Sequence, residues 1–594
     1  MNLHDPSPIF AIFAEYRRRL GNLRKHRLSP IALAFHYICK IGGLHLVVWQ
    51  NLPITLSTPR MSPNLYTADK QIVMQFERIF LSASLIAASS FAAHAQSPQF
   101  KPNVLLILAD DMGWSDIGCY GSEIETPNID ALAKTGVRFR QFHNTSKSWP
   151  SRACLLTGIY AQQNGYYKTH TGKLQNCITL GEYMKEAGYI TLFSGKHHGG
   201  ENPRTRGFDH YFGLKDGACN YFNPGHRRPG EEAPAQKNHK RQWCVEFEEF
   251  APYTPPENDF YTTDYFTNYA IRWLEECSES DKPFFLYLAY NAPHDPLMAW
   301  PEDIAKYKNQ YKKGYEAIRK KRFRKQKRNG LIDDRYELTE ATCRKWDSLT
   351  PEERDIEQQK MAVYAAMIDR MDQNIGRVIS KLKEQGKYEN TIIMFMSDNG
   401  ASAEVVKLND SYGPIGSVSN WTSLGPDWAN VSNTPLRYYK NYSYEGGICT
   451  PLIISWENGL KNPGRTSDFP SHFIDMMATL VDLTGVAYPT EYNGRKILPY
   501  EGESFLPVVY DKEVTRSKPI FWDYKDGQAV RDGKWKIVRH MTETDRWSLF
   551  DMEADPSEAT DLADSHPEIV ERMKRMFSDW RERVYITGKP VKPL

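Results

Sequence analysis

The run Asn103-Val104-Leu105-Leu106-Ile107-Leu108-Ala109 is unbroken and apolar, and it stops abruptly at Asp110-Asp111. An apolar run this short, without alternation, fits a strand covered on both faces, and such strands belong to largely parallel sheets. The pattern recurs three times. Residues 189–193 lead into Gly195-Lys196-His197-His198, residues 284–290 into Asn291-Ala292-Pro293-His294, and residues 391–396 into Ser397-Asp398-Asn399-Gly400. Helical signals lie between them. Thr126-Pro127 opens one helix and Gly136 stops it; Thr179 with Glu182 forms a capping box for another that ends at Gly188. Tyr364, Met367, Met371, Ile375, Val378 and Leu382 recur at helical spacing up to Gly386. The alternation predicts an α/β fold, a mostly parallel sheet sandwiched by helices. Ligands of such sheets bind beyond the carboxyl ends of the strands. Four strands that each release acid, amide, lysine or histidine there point to one site.

The chain has 594 residues, enough for one large α/β domain and a smaller one. Its net charge of +2 argues against a nucleic-acid partner. Nine cysteines stand singly with no Cys-x-x-Cys pair, which excludes a zinc ribbon and leaves room for one or two disulfides of unreadable pairing. Beyond about residue 515 the texture changes to short strands over 519–524, 534–540 and 547–552, then an amphipathic helix over 566–584. The expected division is a catalytic domain over 96–514 and an antiparallel-sheet plus helix subdomain over 515–594. Residues 74–96 carry a basic start at Arg78, an apolar stretch from Ile79 to Ala93 and the small-x-small site Ala93-His94-Ala95. They read as a secretory signal peptide over 74–95, with Met74 as initiator and residues 1–73 misassigned upstream sequence or disordered. The alternative is a genuine extension whose apolar run is a buried helix. The run is too short and Ser/Ala-rich for a stable membrane span. Gln96 follows Ala95 with no lipobox cysteine, so the expectation is export to the periplasm or secretion.

Ser148-Trp149-Pro150-Ser151-Arg152 continues as Ala153-Cys154-Leu155-Leu156-Thr157-Gly158, giving Ser-x-Pro-Ser-Arg-x-x-Leu-x-Thr-Gly. Ser-Pro-Ser-Arg alone occurs by chance in loops; eleven residues in this order do not. The segment resembles the active-site signature of the type I sulfatases, arylsulfatase-like members of the alkaline phosphatase superfamily. The resemblance extends over nearly all of residues 101–584, including 530–536 and 549–556 near the C-terminus. It implies that Ser148 is oxidised to formylglycine, whose hydrate attacks a sulfate ester, and that a serine-type radical maturase acts during biogenesis. Asp110, Asp111, Asp398 and Asn399 are oxygen donors suited to a hard divalent cation such as Ca²⁺. They match the family's metal ligands, which residue 148 completes. By the same resemblance Arg152 holds the hydrate, Lys196 and Lys440 bind sulfate, His198 is the base that releases it, and His294 is the general acid. His197 stands where an aromatic is frequent in the family, which leaves open which of the two adjacent histidines acts.

These residues predict hydrolysis of sulfate esters, with sulfated glycans as the expected substrates. A phosphomonoester or phosphodiester hydrolase of the same fold, using unmodified Ser148, is the alternative; it needs ligands for two metals, and the sequence offers one set. A glycan-binding relative without catalysis is the third reading, disfavoured because no catalytic lysine, histidine or arginine is missing. The run Arg319 to Arg328, eight basic residues in ten, reads as a solvated helical face ahead of a polyanion patch. The loop Asp216 to Arg228, rich in Asn, Tyr, His and Arg, is the expected source of substrate selectivity.

Overall fold

The run from Asn103 to Ala109 is strand β1, and it lacks alternation because both its faces are covered. Leu105, Ile107 and Ala109 join one apolar cluster, whereas Val104, Leu106 and Leu108 join another on the opposite face. The computed structural model describes residues 101–589. The signal-peptide reading of 74–95 and the reading of 1–73 lie outside these residues.

Ten further strands complete the central sheet: β2 (Val137–His143), β3 (Ile190–Gly195), β4 (His210–Leu214), β5 (Trp243–Val245), β6 (Glu248–Phe250), β7 (Phe284–Ala289), β8 (Thr391–Ser397), β9 (Cys449–Ser455), β10 (Arg465–Ser467) and β11 (Ser471–His472). Their order is β10-β2-β9-β8-β1-β7-β3-β4-β5-β6, with β11 beside β2. The strands β8, β1, β7, β3 and β4 run parallel, so their carboxyl ends share one edge. Strand β9 is antiparallel to both neighbours, which makes the sheet mixed at that side. Helices α1 (Pro127–Thr135), α2 (Ser148–Thr157), α3 (Leu180–Glu186), α4 (Thr262–Glu276), α5 (Gly314–Arg328) and α6 (Pro351–Glu384) surround it. Met361, Met367 and Met371 of α6 and Trp273 of α4 cover the Leu105 face; Leu155 of α2 and Met184 of α3 cover the Leu106 face. This is the expected two-sided architecture, and the capping box of α3 forms as read, Thr179 with Glu182.

The C-terminal region forms a four-stranded antiparallel meander over Ile520–Tyr524, Gly527–Asp532, Trp535–His540 and Thr544–Asp551. Helix α7 (Pro567–Thr587) covers one face through Met573, Phe577 and Trp580. The other face places Trp522, Val538 and Phe550 against Tyr444 and Ile448.

Two expectations need correction. The basic run on α5 is not a solvated face throughout, because Arg319, Arg322 and Gln326 lie on its buried side. Arg322 donates to Asp116 Oδ1 (2.6 Å) and to both Glu123 carboxylate oxygens (3.0 and 2.8 Å), so it is a core cation with two acidic partners. And all eight described cysteines are free thiols, so no disulfide forms among the described residues. No helix among them is long and apolar enough to cross a membrane.

Candidate active site

Each strand that ends at the shared edge delivers side chains to one point. Strand β1 ends in Asp110-Asp111, with Asp111 held at φ +60°, a conformation costly for a residue with a Cβ. The turn is fixed by the Asp111 and Met112 amides, which donate to Asp398 Oδ1 (3.2 Å) and Ser397 Oγ (3.0 Å) at the end of β8. Strand β3 ends at Gly195 with φ +120°, and a Cβ there would lie 1.9 Å from the Ala289 carbonyl of β7. Only glycine lets the chain turn off so close to its neighbour, and the turn drops Lys196 into the middle of the site. Ser148 is the first residue of α2, so its hydroxyl sits where the helix presents free amides and partial positive charge.

The predicted residues are brought together. Asn399 Nδ2 donates to Asp111 Oδ1 (2.6 Å), and Ser148 Oγ donates to Asn399 Oδ1 (3.1 Å). Arg152 donates through Nε to Asp398 Oδ2 (2.8 Å) and through Nη1 to the Lys196 carbonyl (2.7 Å), and its Nη2 lies 3.4 Å from Asp110 Oδ1. Lys196 Nζ pairs with Asp110 Oδ2, and Lys440 Nζ with Asp111 Oδ2 (2.8 Å). His294 Nε2 lies 3.4 Å from Asp111 Oδ2, while its Nδ1 faces Asp295 Oδ1 at 3.0 Å. The backbone turns the two adjacent histidines to different sides. His198, at φ +58°, lines the cavity with its ring edge-on to Trp149 (5.8 Å) and His170 (4.9 Å). His197 packs against Phe193 (5.8 Å) and does not line the cavity.

Burial sets the electrostatics. It lifts the Asp110 carboxyl to about 6 against the pull of Lys196. It also opposes ionisation of Asp398, but Arg152 and Lys196 outweigh it and hold that carboxyl well below the usual range. Burial works against charge on His294 too, yet Asp111 and Asp110 raise its pKa above the ordinary value. Lys196 is lowered, chiefly by burial.

The donors fit a hard divalent cation. Asp110 Oδ1 is buried and accepts no hydrogen bond, and the ligand atoms of Asp110, Asp111 and His294 lie within 4.8 Å of one another. Asp398 and Asn399 adjoin that group through the hydrogen bonds above, so the oxygen donors named from the sequence lie side by side.

Several side chains at this site carry no sequence signal. Glu404 bridges Lys147 Nζ (2.6 Å) and Lys440 Nζ (3.0 Å), and those two cations hold its carboxyl far below the usual range despite burial. Burial, reinforced by Lys440, brings Lys147 down to about 8. Asp295 accepts from Ser423 Oγ (2.7 Å) and Trp421 Nε1 (3.3 Å) and so fixes the His294 ring. These groups line a cavity of about 440 Å³ together with Gly217 and Ala218, the part of the 216–228 loop that reaches it.

Comparison with known proteins gives a consistent result. The sulfatase family profile matches residues 102–486, and a profile described as N-sulphoglucosamine sulphohydrolase, C-terminal, matches 436–583. An uncharacterized sulfatase of Schizosaccharomyces pombe is 33% identical over 81% of this chain and 94% of its own length. The arylsulfatase of Klebsiella aerogenes is 34% identical over 72% of this chain and 95% of its own length. The crystal structure of Ps i-CgsB in complex with k-i-k-neocarrahexaose superposes with a TM-score of 0.59 at 26% identity, covering 81% of this chain and 92% of that one. The chain therefore belongs to the sulfatase family, and it is a sulfuric ester hydrolase.

Proposed function

We propose that the protein removes sulfate from sulfated carbohydrates, with residue 148 as formylglycine and one divalent cation held by Asp110, Asp111, Asp398, Asn399 and residue 148. The observation that carries this reading is the placement of Ser148 at the start of α2, bonded to Asn399 and lining one cavity with His198, His294 and Lys440. Carbohydrate is supported by relatives. An N-acetylglucosamine-6-O-sulfatase of Bacteroides thetaiotaomicron is 25% identical over 82% of this chain and 86% of its own length. Export through the 74–95 segment belongs to the same proposal and rests on the sequence.

Oxidation of Ser148 by a serine-type radical maturase removes two hydrogens and supplies a hydrated aldehyde as nucleophile. A bound divalent cation supplies polarisation of a sulfate oxygen. The chain's own residues do the rest. Lys196, Lys440 and the amide end of α2 neutralise the sulfate, whose negative oxygens otherwise repel attack. Arg152, locked by Asp398 and the Lys196 carbonyl, keeps Nη2 free of hydrogen bonds, 3.4 Å from Asp110 Oδ1. His294, its Nδ1 side fixed by Asp295, is placed to give a proton from Nε2 to the departing oxygen. His198, buried and with its pKa well below the ordinary value because burial disfavours its charge, is a neutral base for release of the bound sulfate.

No observation favours the phosphate-ester alternative. Apart from Asp110, Asp111 and His294, the described residues offer one further group with metal-ligating proximity, His143, Glu445 and Cys449. There Glu445 is already taken by Lys536 (2.6 Å) and His143 (3.0 Å). The deciding experiment is co-expression with an active serine-type maturase, followed by the mass of the tryptic peptide Ser148–Arg152 and a 4-nitrophenyl sulfate assay. A peptide lighter by two hydrogens with sulfate release is expected. An unmodified peptide together with hydrolysis of phosphate esters would overturn the proposal.

A further inference from the structure

The cavity over Ser148 opens past two cations that the chemistry above does not use. Lys237 and Arg241 line it, on the segment between the Asp216–Arg228 loop and strand β5. Among the described residues neither side chain has a hydrogen-bond or ion-pair partner. Neither makes an ion pair with Asp216, whose carboxylate accepts from the Gln242 amide at 2.7 Å. The other lining cations are neutralised: Lys147 and Lys440 share Glu404, and Lys440 also reaches Asp111. The lining carries two carboxylates, Asp295 and Glu404, and both are occupied. Lys237 and Arg241 are therefore the cations of this lining that no carboxylate pairs with. On the proposed function, the sulfate that is cleaved is bound by Lys196, Arg152 and Lys440, which leaves these two cations for another group. Trp149, Trp421 and the exposed Val405 line the same cavity and offer apolar surface to the face of a sugar ring.

We propose that Lys237 and Arg241 form a second anion subsite. On this inference, which rests on the sulfatase reading, the preferred substrate carries another anionic group, sulfate or carboxylate, beside the sulfate that is cleaved. A guanidinium fork with a neighbouring ammonium suits either oxyanion.

The matured protein is assayed on 4-nitrophenyl sulfate with monosulfated hexoses, disulfated hexoses and sulfated hexuronates as competitors. A disulfated or carboxylated sugar is expected to inhibit about 10–100-fold more tightly than its monosulfated counterpart, the range of one or two charge-assisted hydrogen bonds. Whichever class does so identifies the second group. Lys237→Ala with Arg241→Ala should collapse that ratio, Arg241→Lys should keep part of it, and added salt should lower it in the parent protein. Equal inhibition by all three classes, or a ratio that survives the double substitution, would overturn the inference alone. Failure of the matured protein to hydrolyse 4-nitrophenyl sulfate at all would overturn the sulfatase reading and the subsite with it.

Discussion

Arg152 and Ser148 are four residues apart on one helix, yet their substitution should be felt very differently. Arg152 is 1% exposed and is the counter-charge for Asp398 and Asp110. Its truncation leaves two buried carboxylates facing each other, a loss of about 3–5 kcal/mol. Arg152→Ala should therefore lower the melting temperature as well as abolish turnover. Ser148→Ala removes a single hydrogen bond to Asn399, worth about 1 kcal/mol. It should melt close to the parent while sulfate release falls to background; calorimetry beside a 4-nitrophenyl sulfate assay separates the two, and turnover by Ser148→Ala would remove that residue from the mechanism. His294→Asn should cost about 10²–10⁴ in rate on a sugar sulfate, the range for general-acid catalysis. The loss should be much smaller on 4-nitrophenyl sulfate, whose leaving group departs without a proton; equal losses on both would assign His294 to binding. At this scale the sequence was most legible where a side chain follows a buried strand directly, as Asp110, Lys196 and Asp398 do. It was least legible for Glu404, an isolated acid on a loop that only folding places against Lys147 and Lys440. Asp295 adjoins His294 in the chain, but only folding brings Ser423 and Trp421 to its carboxylate.

The elements were readable to the extent that one physical period governed them. Strands β1, β7 and β8 are continuous apolar runs because both faces are buried. Strand β2 interleaves Arg138 and Arg140 with buried Val137 and Phe139, and β9 contains Pro451; neither fits a two-sided run, and neither was expected. Helix α6 begins well before its apolar stripe, at a Thr350–Glu353 capping box followed by exposed polar turns. Helix α5 is the instructive miss. A run dominated by lysine and arginine has no apolar stripe, so nothing in its composition marks Arg322 as buried. The geometry does, through Asp116 and Glu123, and Asp116 in turn accepts the Gly113 amide (2.8 Å) and the Tyr364 hydroxyl (2.8 Å) behind Asp110-Asp111. Arg322→Ala should therefore destabilise by about 3–5 kcal/mol and slow sulfate release through the loosened turn. Arg324→Ala, on the exposed side of the same helix, should stay within about 0.5 kcal/mol of the parent. Denaturant midpoints for the pair test the placement; equal effects would refute it.

At the scale of the whole molecule, the C-terminal sheet closes onto the segments that carry Ser148 and Lys440. Trp522 Nε1 donates to the Asn144 carbonyl (2.6 Å), four residues before Ser148. Lys536 bridges Glu445 Oε1 (2.6 Å) and Glu558 Oε1 (2.7 Å), and Glu445 lies five residues after Lys440. Two buried carboxylates thus share one ammonium. Burial lifts Glu558 to about 7, whereas Lys536 and His143 outweigh burial at Glu445 and hold it well below the usual range. The sign of the pH dependence follows. Between the ordinary glutamate pKa and about 7 the folded chain holds a proton on Glu558 that the unfolded chain has lost, so its contribution to stability is largest at low pH and falls as pH rises through that window. Glu558→Gln keeps the acceptor and removes the titration. Its urea midpoint should change less between about pH 5 and about pH 8 than that of the parent, by about 1–3 kcal/mol in unfolding free energy. Identical pH dependence in the two proteins would place the proton elsewhere in the cluster. Because the same bridge anchors the segment carrying Lys440, Lys536→Met should both destabilise the chain and weaken sulfate binding, seen as a rise in KM for 4-nitrophenyl sulfate under conditions where the variant remains folded.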